Sequence, residues 1–242
     1  MNIKIGCSGF YYKEWKEIFY PNGLPQKAWF EYYCQHFNTI EINSSFYKLP
    51  SLSTLEKWYD LSLPDFLFSI KVPRLITHYR RLNAAEELIS DFYALIKAGL
   101  REKLGCVLFQ MPPTFSYSEE RLNLVLLNLD PAFNNVVEFR HESWWIEPVF
   151  DALAAKKITF SGVSFPSSIP DHIVQNTAVL YYRFHGRPVL FKSLYPLEEI
   201  KDFADELKHL DGSAYIYFNN TWGTAALTNS RQLIDLTTDL EK

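Results

Sequence analysis

Val136-Val137-Glu138-Phe139-Arg140 has the apolar, β-branched character of a strand buried on both faces, yet it carries a carboxylate and a guanidinium two positions apart. A parallel strand covered on both sides should be apolar nearly throughout, and a buried ion is costly unless something compensates it. Side chains alternate across a strand, so Glu138 and Arg140 share one face. In a barrel, that face is the lumen.

Seven further short runs resemble it: Ile3–Cys7, Thr39–Asn43, Phe66–Lys71, Cys106–Gln110, Thr159–Val163, Val179–His185 and Ala214–Asn219. Between the runs, apolar positions recur at helical spacing over Gln26–Phe37, Leu52–Leu61, Ala84–Gly99, Ser118–Leu129, Glu142–Lys156, Leu197–Leu210 and Asn229–Leu240. The segment from Ser164 to Thr177 is rich in Pro and Ser, so the sixth helix is expected to be short or missing. Eight strands with nearly every crossover helical predict a single α/β domain over residues 1–242, a (β/α)8 barrel of the triosephosphate isomerase type; a doubly wound open sheet is the alternative.

Composition narrows the class. The 242 residues are 48% hydrophobic and 21% charged, ordinary for a soluble globular chain, with a formal net charge of −4. No general attraction to nucleic acid or anionic membrane follows from that charge. Cys7, Cys34 and Cys106 are too scattered for a disulfide framework or a zinc site, and the six histidines lack ligand spacing, so no metal and no cofactor is expected. A glycine at position 6 interrupts any signal-peptide core, and no run reaches the roughly 18 apolar residues of a membrane span, so a cytoplasmic location is expected.

The polar residues at the strand ends carry the functional reading. Glu41 and Asn43, Lys71, Gln110, Glu138 and Arg140, Arg183 and His185, and Asn219 close six different strands, at the end where barrel enzymes assemble their active sites. Three fixed positive charges face two carboxylates, so an anionic ligand is expected, with Arg140 and Arg183 supplying most of the affinity. Glu41, Lys71, Glu138 and His185 are the candidate catalytic groups. Asn43, Tyr47, His78, Gln110, Arg140, Arg183, Asn219 and Gly223 are the candidate substrate-binding groups. The opposing account is that these charges are internal ion pairs filling a wide barrel, for instance Glu41 with Lys71 or Glu138 with Arg140.

The loop Pro73 to Arg81 adds three arginines and His78 beside this mouth, and Gly186 with Gly223 lies where barrels often hold phosphate between the loops after strands seven and eight. Thr228 is a candidate cap for the helix that follows. Tyr11, Tyr12, Phe46, Tyr47, Trp144, Trp145 and Trp222 form an aromatic set for the same end, able to stack on a sugar or base or to line the wall. Nucleic acid is therefore the alternative partner to a small anion, and no membrane partner is expected. Oligomeric state is not legible.

The motifs Gly6-Cys7-Ser8-Gly9, Glu41-Ile42-Asn43-Ser44-Ser45-Phe46-Tyr47, Lys71-Val72-Pro73 with Thr77-His78, Phe109-Gln110-Met111-Pro112-Pro113, Glu138-Phe139-Arg140-His141 with Ser143-Trp144, Arg183-Phe184-His185-Gly186 and Tyr217-Phe218-Asn219-Asn220 resemble, in order, those of the Domain of Unknown Function 72 family, the YecE-like proteins. The resemblance implies a (β/α)8-like barrel and no established activity. It departs at strand six, where an Ala-Asp-Ser-Pro-like sequence is replaced by Gly162-Val163-Ser164-Phe165-Pro166, without the carboxylate. Three functions remain open: an enzyme acting on an anionic, phosphorylated or carboxylate substrate; a divalent-metal phosphoesterase, endonuclease-like or sugar-isomerase-like barrel using Glu41, Glu138 and His185; and a non-catalytic module binding nucleic acid or a phosphometabolite.

Overall fold

The computed structural model describes residues 1–238 and shows the α/β barrel expected, with eight parallel strands and helices between them. The strands are β1 (Asn2–Cys7), β2 (Thr39–Ile42), β3 (Leu67–Lys71), β4 (Leu104–Gln110), β5 (Asn135–Glu138), β6 (Thr159–Ser164), β7 (Val179–Phe184) and β8 (Ser213–Phe218). The helices are α1 (Trp29–Cys34), α2 (Leu52–Leu61), α3 (Glu86–Leu100), α4 (Glu119–Asn128), α5 (Glu147–Ala155), α6 (Leu197–Leu207) and α7 (Ala225–Thr237). Hydrogen-bonded neighbours run β1-β8-β7-β6-β5-β4-β3-β2.

Local chemistry sets the helix boundaries. Ser51 and Ser118 cap α2 and α4 by accepting from the backbone N–H of Thr54 and Arg121, each at 3.2 Å. The expected helix from Glu142 divides into a 3-10 turn (Glu142–Trp144) and α5, because Pro148 suits only a helix start. The first expected helix likewise divides, into a turn at Gln26–Ala28 and α1. Thr224, not Thr228, occupies the cap position of α7; Thr228 lies one turn inside, its hydroxyl donating to the Thr224 carbonyl at 3.2 Å. The expected end of that helix at Leu240 lies outside the described residues.

No helix joins β6 to β7. Asn176 does the work of anchoring that connection: its side chain accepts from Phe160 N–H at 2.9 Å and donates to the carbonyl of Ile158 at 3.0 Å. The main apolar core lies between the strands and the helices, while Cys106, Leu108, Val136, Tyr181, Tyr215 and Tyr217 form a separate cluster inside the barrel. Trp144, expected among the mouth aromatics, belongs to the outer core, stacked on Phe139 at 3.9 Å between ring centroids.

The ladder does not continue between β1 and β2. Side chains bridge the two backbones there instead. Tyr33 accepts from Cys7 N–H at 2.8 Å and donates to the Thr39 carbonyl at 3.1 Å, while Asn38 accepts from Ile5 N–H and donates to the Ile3 carbonyl, both at 3.3 Å. Gly6 permits this approach: a Cβ at that position would stand 2.3 Å from the Thr39 carbonyl oxygen. Tyr33→Phe removes both Tyr33 bonds and leaves two buried backbone groups unpaired, at about 1–3 kcal/mol each. Urea denaturation should show that loss, and an unchanged midpoint would mean the seam is held by packing alone.

Candidate active site at the barrel mouth

Period-two alternation on the strands stacks the lumen in layers. The cluster around Tyr215 and Cys106 forms the lowest layer. Above it, Tyr217 places its hydroxyl 2.6 Å from Thr39 Oγ1 and 2.8 Å from Ser69 Oγ. Next come Glu41, Lys71, Gln110, Glu138 and Arg183, at or near the ends of their strands. Asn43, Arg140, His185 and Asn219 follow one or two residues past the ladder ends. His185 and Asn219 still donate their backbone N–H to the Ser164 and Phe184 carbonyls, at 2.9 and 2.8 Å, which keeps both side chains aimed over the lumen.

Arg183 joins three strands. Its Nη2 donates to Glu41 Oε1 and its Nη1 to Glu138 Oε2, each at 2.7 Å, with all three side chains fully buried. Glu41 also accepts from Ser8 Oγ and from the Tyr181 hydroxyl, both at 2.6 Å. Glu138 accepts in addition from Arg140 Nε. Arg140 Nη2 lies 3.0 Å from His185 Nε2, and its guanidinium stands over the Phe165 ring at 4.1 Å. A guanidinium only donates, so Nε2 accepts from Arg140, and the other ring nitrogen, Nδ1, lies 2.9 Å from the Asn219 side-chain nitrogen.

These contacts fix the charge states. Burial pushes the Glu138 carboxyl up, but Arg140 and Arg183 outweigh it and hold the group well below the usual carboxylate range. Burial, then Arg140 and Arg183, push His185 well below the usual imidazole range, so it is neutral. Burial also opposes the charge on Arg183, and the two glutamates more than restore it. Lys71 differs from the rest. Among the described residues it makes no ion pair; its Nζ donates to Gln110 Oε1 at 2.6 Å and stands 4.2 Å from the centre of the Phe46 ring. Burial and then Arg183 push its pKa down to about 7.

A cavity of about 430 Å³ opens above this layer, lined by Ser8, Tyr12, Glu14, Asn43, Tyr47, Lys71, Phe191, Asn219, Thr221 and Trp222. Of the residues singled out from the sequence, Asn43, Tyr47, Lys71 and Asn219, with the aromatics Tyr12 and Trp222, reach it directly. Glu41 reaches it only through Ser8. Arg183 requires a correction: both its Nη atoms are bound by carboxylates below the cavity, so it cannot be the main anion contact. Gln110 orients Lys71, Arg140 is bound to Glu138, and His185 is bound to Arg140. His78 is turned to Thr77 Oγ1 at 3.0 Å and packs edge-on against Phe46; burial and Lys71 push its pKa down to about 4.

Neither glycine of the two loops lines this cavity. The Gly186 N–H is taken by the Tyr195 hydroxyl at 2.8 Å, and the Gly223 carbonyl accepts from Trp15 Nε1 at 2.8 Å, with no part in the cavity lining. Their loops still contribute, through Phe191, Thr221 and Trp222. Ser8, Tyr181, Thr39 and Ser69 were passed over in the sequence, although the same alternation that picked out Glu41, Lys71 and Arg183 places them on the lumen face. Val163 is fully buried at strand six and offers no carboxylate. Among the described residues no group of three or more His, Cys, Asp or Glu side chains is placed to hold a metal, and the Arg183 guanidinium fills the space between Glu41 and Glu138.

Two outcomes follow for stability. Arg183→Met should cost about 3–5 kcal/mol, because it leaves two buried carboxylates facing each other, and adding Glu41→Gln and Glu138→Gln should recover part of that loss in chemical denaturation. Lys71 acts in the opposite sense. Its folded pKa lies below the unfolded value, so the folded state sheds this proton first, and stability should rise with pH from about 7 toward 10, by up to about 1.4 kcal/mol per unit. Lys71→Met should abolish that slope; the same slope in both proteins would assign it elsewhere.

The comparisons with known proteins agree with this architecture. The model of the family described as "Protein of unknown function DUF72" matches residues 4–242. The chain is 26% identical to the UPF0759 protein YunF of Bacillus subtilis, over 97% of this chain and 94% of that protein. It is 32% identical to the UPF0759 protein YecE of Escherichia coli K12, over 48% of this chain and 42% of that protein. A DUF72 family protein from Thermotoga maritima superposes over 100% of both chains with a TM-score of 0.88 at 27% identity. D-psicose 3-epimerase from Clostridium cellulolyticum, at 11% identity and a TM-score of 0.56 over 100% of this chain and 98% of that one, shares the fold. A lumen whose charged layer is built from the motifs Glu41-Ile42-Asn43, Glu138-Phe139-Arg140 and Arg183-Phe184-His185, together with a family match across almost the whole sequence, establishes that this chain belongs to the DUF72 family.

Proposed function

We propose that this barrel is an enzyme acting on a small anionic substrate held in the mouth cavity. The observation that carries the reading is the charge balance of the layer beneath it. Arg140 and Arg183 are matched by Glu138 and Glu41, and Lys71 is left over. That unmatched amine is the one cation of the layer that lines the cavity. Glu14, the carboxylate in the cavity wall, sits on the exposed rim. A buried positive charge without a partner is costly, and an anion in the cavity would stabilise it.

Asn43, Asn219, Ser8 and Thr221 supply neutral polar groups to orient such a ligand, and Tyr12, Tyr47, Phe191 and Trp222 supply apolar walls. Glu138, held by two guanidiniums, is a poor base. Glu41 is better placed for that role, because Ser8 Oγ stands between its carboxylate and the cavity and can relay a proton. Neutral His185 and Arg140 support the layer from above.

Calorimetric titration with sulfate, whose charge does not change between pH 6 and 9, tests the reading. A bound anion favours the charged amine and so raises the Lys71 pKa above about 7. Affinity should therefore hold below pH 7 and fall above it, by up to about tenfold per unit. Lys71→Met should weaken binding by about 1.5–3 kcal/mol, the worth of a hydrogen bond to a charged group, whereas the exposed Arg80→Ala should cost less. No binding, or equal binding by wild type and Lys71→Met, would return the cluster to a purely structural role.

A further inference from the structure

The surroundings of Lys71 do more than leave a positive charge over. Among the described residues no carboxylate lies within ion-pair distance of Nζ. Its one hydrogen-bond partner, Gln110 Oε1, takes a single N–H at 2.6 Å. Phe46 covers one side at 4.2 Å, Gln110 is itself tied back to the Met111 carbonyl at 3.3 Å, and Nζ has the cavity in front of it. An amine held in this way keeps its lone pair for a ligand. Resting on the reading of the mouth as an anion site, we propose that Lys71 is the nucleophile of the reaction, adding through Nζ to the carbonyl carbon of a small substrate that bears a carboxylate or phosphate and forming a protonated imine with it.

The step balances without any redox partner. The Nζ lone pair forms the C–N bond while the carbonyl π pair moves to oxygen. One proton passes from nitrogen to that oxygen, and a second, from solvent, lets it leave as water while the nitrogen pair closes the C=N bond. Net, one proton is consumed and one water released. The iminium carries the same single positive charge that the layer lacked a partner for, and the anionic group of the substrate now sits beside it. Nucleophilic lysines need a depressed pKa to be useful near neutrality. Burial and Arg183 provide one here, at about 7, so roughly half of the Lys71 side chains are free amine at neutral pH, against about one in a thousand or fewer for an unperturbed lysine.

Reductive trapping tests the assignment on the full-length wild-type protein, with no variant required. The protein is incubated with pyruvate, glyoxylate or dihydroxyacetone phosphate and cyanoborohydride, and the adduct is located by peptide mass mapping. The expected result is selective labelling of Lys71 by at least one probe, rising about tenfold from pH 6 to pH 8 as the free amine grows, and suppressed by sulfate. Lys71→Arg should remove that label. Calorimetry with the same probes separates the two claims. Probes that bind with Lys71 unlabelled, or with label spread evenly over exposed lysines, would overturn the nucleophile and leave the anion site standing. Failure of sulfate and of every probe to bind would overturn both.

Discussion

The guanidinium of Arg183 is the interaction on which the upper half of this barrel depends. It bridges a carboxylate from β2 and one from β5 while itself standing on β7, so strands far apart in the ladder are tied through a single planar group. The geometry suits arginine, since two carboxylates approach the separate Nη atoms at 2.7 Å and lysine offers only one point of charge. Its Nε, also buried, has no partner among the described residues, which shows that the side chain is placed for the two glutamates and not for a complete set of bonds.

That arrangement explains the layering around it. Charge cannot be placed in a lumen without neighbours that accept or donate, and the ring of hydroxyls beneath supplies them: Tyr181 to Glu41, and Tyr217 shared between Thr39 and Ser69. Below those hydroxyls the lumen can be apolar again. The β1–β2 seam follows the same rule in the backbone, where Tyr33 and Asn38 satisfy groups that a ladder would otherwise pair.

Much of this was legible in the sequence, for a definite reason. Strand periodicity put Glu41, Lys71, Glu138, Arg183 and their successors on one face, and the barrel closes that face inward, so the residues meet. The Glu138–Arg140 pair, two positions apart on one strand, was readable and is made, whereas the bridges of Arg183 to Glu41 and Glu138 were not. Both glutamates were as compatible with Lys71 or Arg140 as with Arg183, because register across the lumen depends on how the ladder closes, and no local signal encodes it. The small hydroxyl residues Ser8, Thr39 and Ser69 carry no periodic contrast of their own and became visible only once their partners were placed. Gly186 misled for the opposite reason: a glycine advertises a turn, and a φ of +92° confirms the turn, while its N–H is taken by the Tyr195 hydroxyl.

Pairing is also what separates a structural cluster from a site. Buried ion pairs add little net stability, since well-packed apolar residues of similar volume often serve as well, so Glu41, Glu138, Arg140 and Arg183 are poorly explained by stability alone. As a charge-balanced set they offer a ligand little directly, their donors and acceptors engaged with one another except Arg183 Nε, and Glu41 reaches the cavity only through Ser8. Lys71 breaks that symmetry. It stands in the same layer, near Arg183 and Arg140, with the amide of Gln110 and the face of Phe46 to receive it, and it is the member of the layer that the cavity exposes. The paired charges then act as a fixed, rigid set of dipoles beneath an amine whose burial lets it give up its proton near neutral pH. A preorganised field of that kind needs no rearrangement when a negatively charged ligand arrives, which is the condition under which buried electrostatics favour chemistry more than they favour folding.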